Sequence, residues 1–156
     1  MTNVSNELIW SLVRGNSCFL YKRNGRTARS GKVVLSAEPN NLMNVNSFKH
    51  SGLANSKAVG VGFAEDTKSR PCAVLTLKSS KNVNKPKKSV GKALVKKPFA
   101  SVAGAIIKQT KGTNYRPDLE SAALVRWSRI NLALRVQKGK KPMAINTGRK
   151  NLKESA

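Results

Sequence analysis

A stretch without any acidic residue separates Asp66 from Asp118 and dominates the charge pattern of this chain. It carries thirteen lysines and arginines, and the whole sequence sets thirty such residues against seven Asp and Glu, a formal net charge of +23. A compact protein with this charge repels itself, and a polyanionic partner relieves the repulsion. Lys and Arg that neutralise phosphates release condensed counterions, which makes binding strongly salt dependent. The charge pattern therefore predicts a nucleic-acid partner.

A membrane surface is the alternative polyanion, but the sequence argues against it. The basic stretch 78–98 holds eight lysines and too few apolar residues for an amphipathic anchor helix. No apolar run has the length of a membrane span, and residues 1–15 lack a small-residue cleavage pattern. Glu7, in the first amphipathic segment, disfavours an organellar transit peptide. We therefore expect a soluble intracellular protein with no membrane partner.

The length of 156 residues suits one compact domain with extensions, since a domain typically takes about 100–200 residues. The predicted domain covers residues 1–138. Within it, residues 78–98 are expected to form a basic arm or extended loop, because their lysines come with two prolines and no acid. Residues 139–156 are expected to form a basic C-terminal tail.

The N-terminal part of the chain has one helical pattern followed by a hairpin pattern. Residues 5–14 place apolar side chains at helical spacing and stop at a glycine, which predicts a short capped helix. Residues 18–23 and 32–35 are rich in aromatic and β-branched side chains, and the Asn24-Gly25 turn signal follows the first of them. They are predicted to pair as strands around a basic tip.

Three further strand patterns, at 47–49, 58–63 and 73–78, predict a small, mainly antiparallel sheet. Helices are predicted at 99–108 and 117–137. The second has a proline in its first turn, acidic residues near the positive end of its dipole, and a glycine just beyond its end. The predicted fold class is α+β, in which the sheet packs with N-terminal and C-terminal helices and carries basic extensions.

Several single residues have a predicted structural role. Asn40 and Asn41 are turn formers after a proline, or alternatively readers of RNA bases. Gly60 and Gly62 mark a bulge or a close approach of another backbone. Finally, four side chains are assigned to the core: Trp10, Trp127, Cys18 and Cys72, the cysteines as reduced small hydrophobes rather than as a disulfide or metal ligands.

The residue types needed for catalysis are scarce. The chain has one histidine and seven scattered carboxylates, too few to assemble an acid, a base and a nucleophile in one pocket. His50 is expected at the surface or at a strand end, or in contact with RNA. There is no phosphate-binding loop, dinucleotide motif or metal-ligand spacing. The sequence predicts no enzymatic activity, no metal and no cofactor.

Three segments occur in the order and spacing of a known family. They are Asn16-Ser17-Cys18-Phe19-Leu20-Tyr21-Lys22-Arg23-Asn24, then Glu38-Pro39-Asn40-Asn41-Leu42 leading into Asn46-Ser47-Phe48-Lys49-His50-Ser51-Gly52-Leu53, and Asn114-Tyr115-Arg116-Pro117-Asp118-Leu119. Here the chain resembles the eukaryote-specific large-subunit ribosomal protein twenty-eight family, in its plant or algal form, over roughly residues 6–138.

The resemblance implies an α+β fold without catalysis and a structural place in the cytosolic 60S subunit. It also implies large-subunit ribosomal RNA and neighbouring large-subunit proteins as partners, and passage through the nucleolus during assembly. A nucleolar assembly factor carries a related domain but has acidic regions that this chain lacks. An assembly factor or RNA chaperone acting on pre-60S particles is therefore the alternative.

The residues predicted to contact RNA are cations and their neighbours, in five groups along the chain. They are Lys22, Arg23, Arg26, Arg29, Lys49, His50, Lys85, Lys87, Lys88, Lys96, Lys97, Tyr115, Arg116, Arg126, Arg129, Lys138, Lys140 and Lys141.

For some of them the sequence leaves alternatives open. The lysines at 85–88 and 96–97 contact phosphates, form a solvated charge run or act as a nuclear-import signal. The cations of the predicted hairpin, at positions 22–29, either bind phosphates or are simply solvated. Tyr115 and Arg116 precede a helix N-terminus and either contact RNA or pack. Arg126, inside an apolar helical stripe, pairs with a carboxylate or reaches a phosphate.

Overall fold

The computed structural model describes residues 4–24, 31–65, 70–82 and 85–140. The helices are α1 (Asn6–Val13), α2 (Pro86–Ser89), α3 (Phe99–Ile107) and α4 (Glu120–Gln137), and the strands are β1 (Leu20–Asn24), β2 (Lys32–Ser36), β3 (Val59–Glu65), β4 (Pro71–Lys78) and β5 (Val90–Val95). Short 3-10 turns at Phe48–His50, Ser80–Asn82 and Pro117–Leu119 and a π turn at Lys108–Gly112 join them.

The N-terminal helix and hairpin form as predicted. Ser5 caps α1 by accepting a hydrogen bond from the Leu8 amide at 3.3 Å, which satisfies one of the amides left free at a helix start. β1 and β2 pair antiparallel, with Tyr21 opposite Leu35. The predicted basic tip, residues 25–30, lies outside the described residues. This hairpin forms a sheet of its own.

The second sheet has the strand order β3-β4-β5, and both pairs are antiparallel. It corrects the expectation of an arm or loop over 78–98, because residues 90–95 form its third strand. Val90 and Val95 are half-buried while Lys92 between them is exposed. β5 is an edge strand, where charged side chains are well tolerated. Of the lysines that suggested an arm, Lys92 lies on the exposed side of this strand, and the others lie before or after it.

The core lies between this sheet and the two long C-terminal helices. Val59, Leu75, Ile106 and Trp127 are all buried there. The Trp127 ring stacks on Phe99 with 5.9 Å between centroids, and its indole N–H donates to the Phe99 carbonyl at 3.3 Å. α4 therefore packs along the sheet as its apolar stripe predicts, and the α+β fold class is confirmed.

Three predictions about individual segments are wrong. Residues 47–49 do not form a strand. Instead Phe48–His50 form a 3-10 turn, in which the Ser51 amide donates hydrogen bonds to the carbonyls of Ser47 and Phe48. Trp10 is half-buried outside the main core, its ring tilted against Phe48 at 6.2 Å. Cys18 is exposed, whereas Cys72 is buried, and both are free.

The loop between the two sheets is held by the asparagines that the sequence marks as turn formers. Asn40 adopts a positive φ of 64°, and its side-chain oxygen accepts a hydrogen bond from the Thr76 hydroxyl at 2.6 Å. A Cβ atom on Gly60 would lie 2.4 Å from both of these side-chain oxygens. The predicted close backbone approach at Gly60 is confirmed.

Candidate nucleic-acid interface

A cleft of about 520 Å³ opens where the start of β4, the segment after β5 and the second half of α4 meet. Five cations line it: Arg70, Lys96, Lys97, Arg135 and Lys138. Among the described residues, no carboxylate lines this cleft. Its apolar wall is formed by Pro71, Cys72, Val95, Trp127 and Leu134. A one-signed rim around an apolar wall attracts anions that also carry an apolar part.

The cleft unites predicted and unpredicted residues. Lys96, Lys97 and Lys138 were predicted from the sequence, and the fold brings them together from two elements. Arg70 and Arg135 were missed. The sequence contains a signal for Arg135, because it lies three residues before Lys138 at the end of α4 and helical spacing places such residues on one side. Arg70 stands alone before a strand, and only the tertiary fold places it at the cleft.

Other predicted cations stand elsewhere on the surface. Lys85 and Lys88 are exposed, and the Lys85 carbonyl accepts the amides of Lys88 and Ser89 in one helical turn. Lys87 lies in the same turn. This turn connects directly to β5, so the fold places the predicted contacts at 85–88 beside the edge strand.

The hairpin and α4 carry further predicted contacts. Lys22 and Arg23 are exposed on β1, and the Lys22 ammonium donates to the Gly15 carbonyl at 3.0 Å. Arg129 is exposed on α4, and Lys140 is exposed beyond its end. Three of the predicted contacts lie outside the described residues; they are Arg26, Arg29 and Lys141.

Arg116 uses its guanidinium group inside the protein. It donates to the Lys57 carbonyl at 2.9 Å and to the Lys49 carbonyl at 2.8 Å, and it forms a two-point ion pair with Asp118 at 2.9 and 2.8 Å. Its side chain is 15% exposed. The arginine thus fastens the chain before α4 to two segments more than fifty residues away, which is the packing alternative of the sequence analysis.

Tyr115, beside it, also has a structural contact set. Its hydroxyl donates to the Lys78 carbonyl and accepts from the Ala58 amide at 3.2 Å. Burial raises the pKa of this phenol. The Lys78 side chain points inward and donates to the carbonyls of Gly52, Leu53 and Asn55 at 2.9, 3.2 and 2.7 Å, and burial lowers its pKa.

The environment of Arg116 tunes two titratable neighbours. Its hydrogen bonds and charge hold the pKa of Asp118 below the ordinary value. Partial burial, with the charges of Lys49 and Arg116, lowers the pKa of His50 below 6.5. The imidazole is therefore mainly neutral at pH 7 and adds no charge to the surface.

Arg126 reaches a second cavity of about 360 Å³, which is lined by Asn40, Asn41 and Gly60 among others. Its Nε atom is buried and has no hydrogen-bond partner in the described part of the chain. Glu38 lines the same cavity, but its carboxylate accepts from Asn41 and Ser51 instead. Arg126 was predicted either to pair with a carboxylate or to reach a phosphate. No carboxylate in the described part of the chain forms an ion pair with it.

The described residues contain neither a cluster of metal ligands nor a helix that could span a membrane. Within residues 4–24, 31–65, 70–82 and 85–140, no three His, Cys, Asp or Glu side chains come together as metal ligands. In the same ranges, no helix combines the length and the apolar character that crossing a membrane requires.

Comparison with known proteins agrees with the motifs. The model of the ribosomal L28e protein family matches residues 8–133. The chain is 35% identical to the large ribosomal subunit protein eL28 of Schizosaccharomyces pombe over 147 residues, which cover 91% of this chain and 99% of that protein. It is 33% identical to the protein of the same name from Dictyostelium discoideum, covering 86% of this chain and 92% of the relative. The Trypanosoma cruzi protein of that name is 36% identical over 76% of this chain and 70% of its own length.

Proposed function

This chain belongs to the ribosomal L28e protein family, and on that premise we propose that it is a structural constituent of the large ribosomal subunit, which binds and stabilises folded ribosomal RNA through phosphate contacts. The observation that supports RNA binding is the cationic cleft between β4, β5 and α4, whose rim carries five cations and, among the described residues, no acid. Such a surface suits the high negative charge density of RNA.

Phosphate contact, rather than base reading, is the main source of affinity in this proposal. Most predicted contacts are lysines, which act as flexible point charges and recognise phosphate without sequence information. Lys85, Lys88 and Lys97 are exposed and reachable by an RNA backbone. Arg116 and Tyr115 contribute by holding the fold, since their polar groups are bonded within the protein.

The proposed role is non-catalytic. The chain has a single histidine, His50, whose lowered pKa keeps it mainly neutral at pH 7. Its Nδ1 atom is buried and has no hydrogen-bond partner among the described residues. No described cluster of carboxylates lines the cleft. The described lining of the cleft thus has cations that can hold an anion, and it contains neither a carboxylate nor a histidine to act as a general base.

The proposal places the protein in the cytosolic large subunit, beside other large-subunit proteins, after assembly in the nucleolus. The alternative is an assembly factor that leaves pre-60S particles before translation. The names of the relatives, large ribosomal subunit proteins, favour the permanent constituent.

Sedimentation separates the two roles. Tagged protein is followed through sucrose gradients of nuclear and cytoplasmic extracts, with an established large-subunit protein as the matched marker. The proposal expects the tag in free 60S subunits, monosomes and polysomes in constant ratio to the marker. Confinement to nuclear pre-60S fractions would favour the assembly factor instead.

A further inference from the structure

We propose that the cleft between β4, β5 and α4 holds one unpaired nucleotide of the RNA, with its base against the apolar wall and its phosphates at the cationic rim. This inference rests on the proposed function and narrows its ligand to a bulged or looped nucleotide. A duplex backbone needs only a basic surface, whereas a cleft with an apolar wall provides space for a base that has left its stack.

The dimensions of the cleft suit a ligand of nucleotide size. Its volume of about 520 Å³ falls within the range of about 300–1,000 Å³ that is typical of small-ligand sites. The two sides come from the sheet and from α4, which are fixed to each other by the core. The cleft is therefore a preformed feature and not a gap between mobile loops.

The wall offers an apolar face. Of its lining residues, Pro71 and Val95 are half-buried and Leu134 is 7% exposed. Trp127 also lines the wall but is 2% exposed and held by its stack on Phe99. An unpaired base is flat and largely apolar on its faces, so transfer from water onto this wall is favourable.

Two amide side chains complete the match to a base. Asn131 is half-buried and Gln137 is exposed, and both line the cleft. Each has donors and an acceptor that can meet the hydrogen-bonding edge of a base whose Watson–Crick partner is absent. A purely electrostatic phosphate site needs no such groups.

The rim supplies charge for the flanking phosphates. Arg70 stands on the sheet side, and Arg135 and Lys138 stand on the helix side. Glu65, directly opposite Pro71 in the β3–β4 register, is the carboxylate of a neighbouring strand but does not line the cleft. An acidic peptide would also satisfy these cations, but it leaves the amide pair and the flat wall unused.

The test uses the full chain with Trp10→Phe, which leaves Trp127 as the single tryptophan reporter. The probes are an RNA hairpin with one bulged nucleotide and a fully paired hairpin of the same number of phosphates. Affinity is measured by anisotropy of labelled RNA, and occupancy of the cleft by Trp127 emission. Trp127 is 2% exposed and stacked on Phe99, so the preference comes from burial of the base face on aliphatic side chains and not from aromatic stacking. We expect about a tenfold preference for the bulged hairpin.

Two variants and a matched control distinguish binding in the cleft from non-specific attraction between the basic protein and RNA. Asn131→Phe fills the cleft without changing charge or adding a second tryptophan, and it is expected to abolish the bulge preference while duplex binding persists. Arg70→Gln with Arg135→Gln is expected to weaken bulged RNA more than duplex. Lys108→Gln with Lys111→Gln removes the same charge from exposed positions outside the cleft and is expected to weaken both RNAs equally.

Each remaining outcome decides against one claim. Salt-dependent binding of both hairpins with equal affinity and unchanged Trp127 emission would overturn the nucleotide site and leave the proposed function standing. Absence of RNA binding altogether would overturn the proposed function. A poly-glutamate peptide that shifts Trp127 emission and displaces the bulged RNA at equal charge concentration would assign the cleft to an acidic protein partner. If circular dichroism shows that the filled variant is unfolded, the Arg70 and Arg135 double variant decides.

Discussion

Arg116→Ala separates a structural arginine from an RNA-binding one. The sequence allows both roles, since this residue lies before the N-terminus of a helix in a basic protein. The structure shows every side-chain nitrogen of Arg116 donating inside the protein, to Lys49, Lys57 and Asp118. Removal of the guanidinium leaves two carbonyls and a carboxylate without these donors. We therefore expect the variant to have a lower free energy of unfolding, while its folded form keeps its affinity for RNA.

The magnitude follows from the exposure of each contact. Hydrogen bonds from a charged donor contribute about 1.5–3 kcal/mol each. The bonds to the carbonyls of Lys49 and Lys57 are exposed, so the lower end of this range applies to both. The pair with Asp118 is 39% exposed on its carboxylate side, so solvent screening limits it to about 0–1 kcal/mol. After allowance for water reaching the freed carbonyls, we expect a loss of about 2–4 kcal/mol in the free energy of unfolding.

Urea titration followed by circular dichroism measures this loss. With a slope of about 2 kcal/mol per molar urea, the midpoint is expected to fall by about 1–2 M. Arg116→Lys is the matched charge-retaining control, and it is expected to lose most of the same stability because one ammonium group cannot reproduce the planar fork. An unchanged midpoint in Arg116→Ala, combined with weaker RNA binding, would refute the structural role.

Three other predictions test the core, the loop and the pH response. Trp127→Ala is expected to cost about 3–5 kcal/mol of unfolding free energy in the same urea assay, since the ring is 2% exposed, and a cost below about 1 kcal/mol would contradict its place in the core. Gly60→Ala is expected to cost about 1–3 kcal/mol of unfolding free energy, because the added Cβ atom would lie 2.4 Å from two side-chain oxygens. Gly104→Ala is the control: its added atom meets open space, so the variant is expected to be neutral or stabilising. Because the pKa of Asp118 is lowered from its ordinary value of 3.8, the carboxylate contributes its full stability above pH 3.8 and loses that contribution as the pH falls through the folded-state pKa. Asp118→Asn is therefore expected to lose stability less steeply in acid than the unchanged protein. An acid unfolding curve with the same slope in both proteins would contradict this role of Asp118.

The helices and the hairpin were predictable because their signals are local. α4 has a proline and acids at its start and a glycine after its end, and its apolar stripe contains Trp127. By contrast, β5 was missed because the lysines between 85 and 97 outweighed a six-residue strand pattern. A charged edge strand and a solvated arm have similar composition, and only the pairing of β5 with β4 distinguishes them.

The candidate site was only partly predictable for the same reason. Charge identified Lys96, Lys97 and Lys138, but the sequence holds no record of their approach to Arg70 and Arg135. The role of Arg116 depends on carbonyls 59 and 67 residues away along the chain. Backbone acceptors exist at every residue, so composition cannot indicate which of them a long side chain will reach.

The claim that phosphate contacts dominate RNA binding has one direct measurement. Lys85, Lys87, Lys88, Lys96 and Lys97 are changed together to Gln, and affinity for a large-subunit RNA fragment is titrated at several salt concentrations. Each neutralised phosphate contributes about 0.7–0.9 to the log–log salt slope, so the account predicts a slope flattened by several units, with circular dichroism showing an intact fold. A folded variant with an unchanged salt slope would contradict the account.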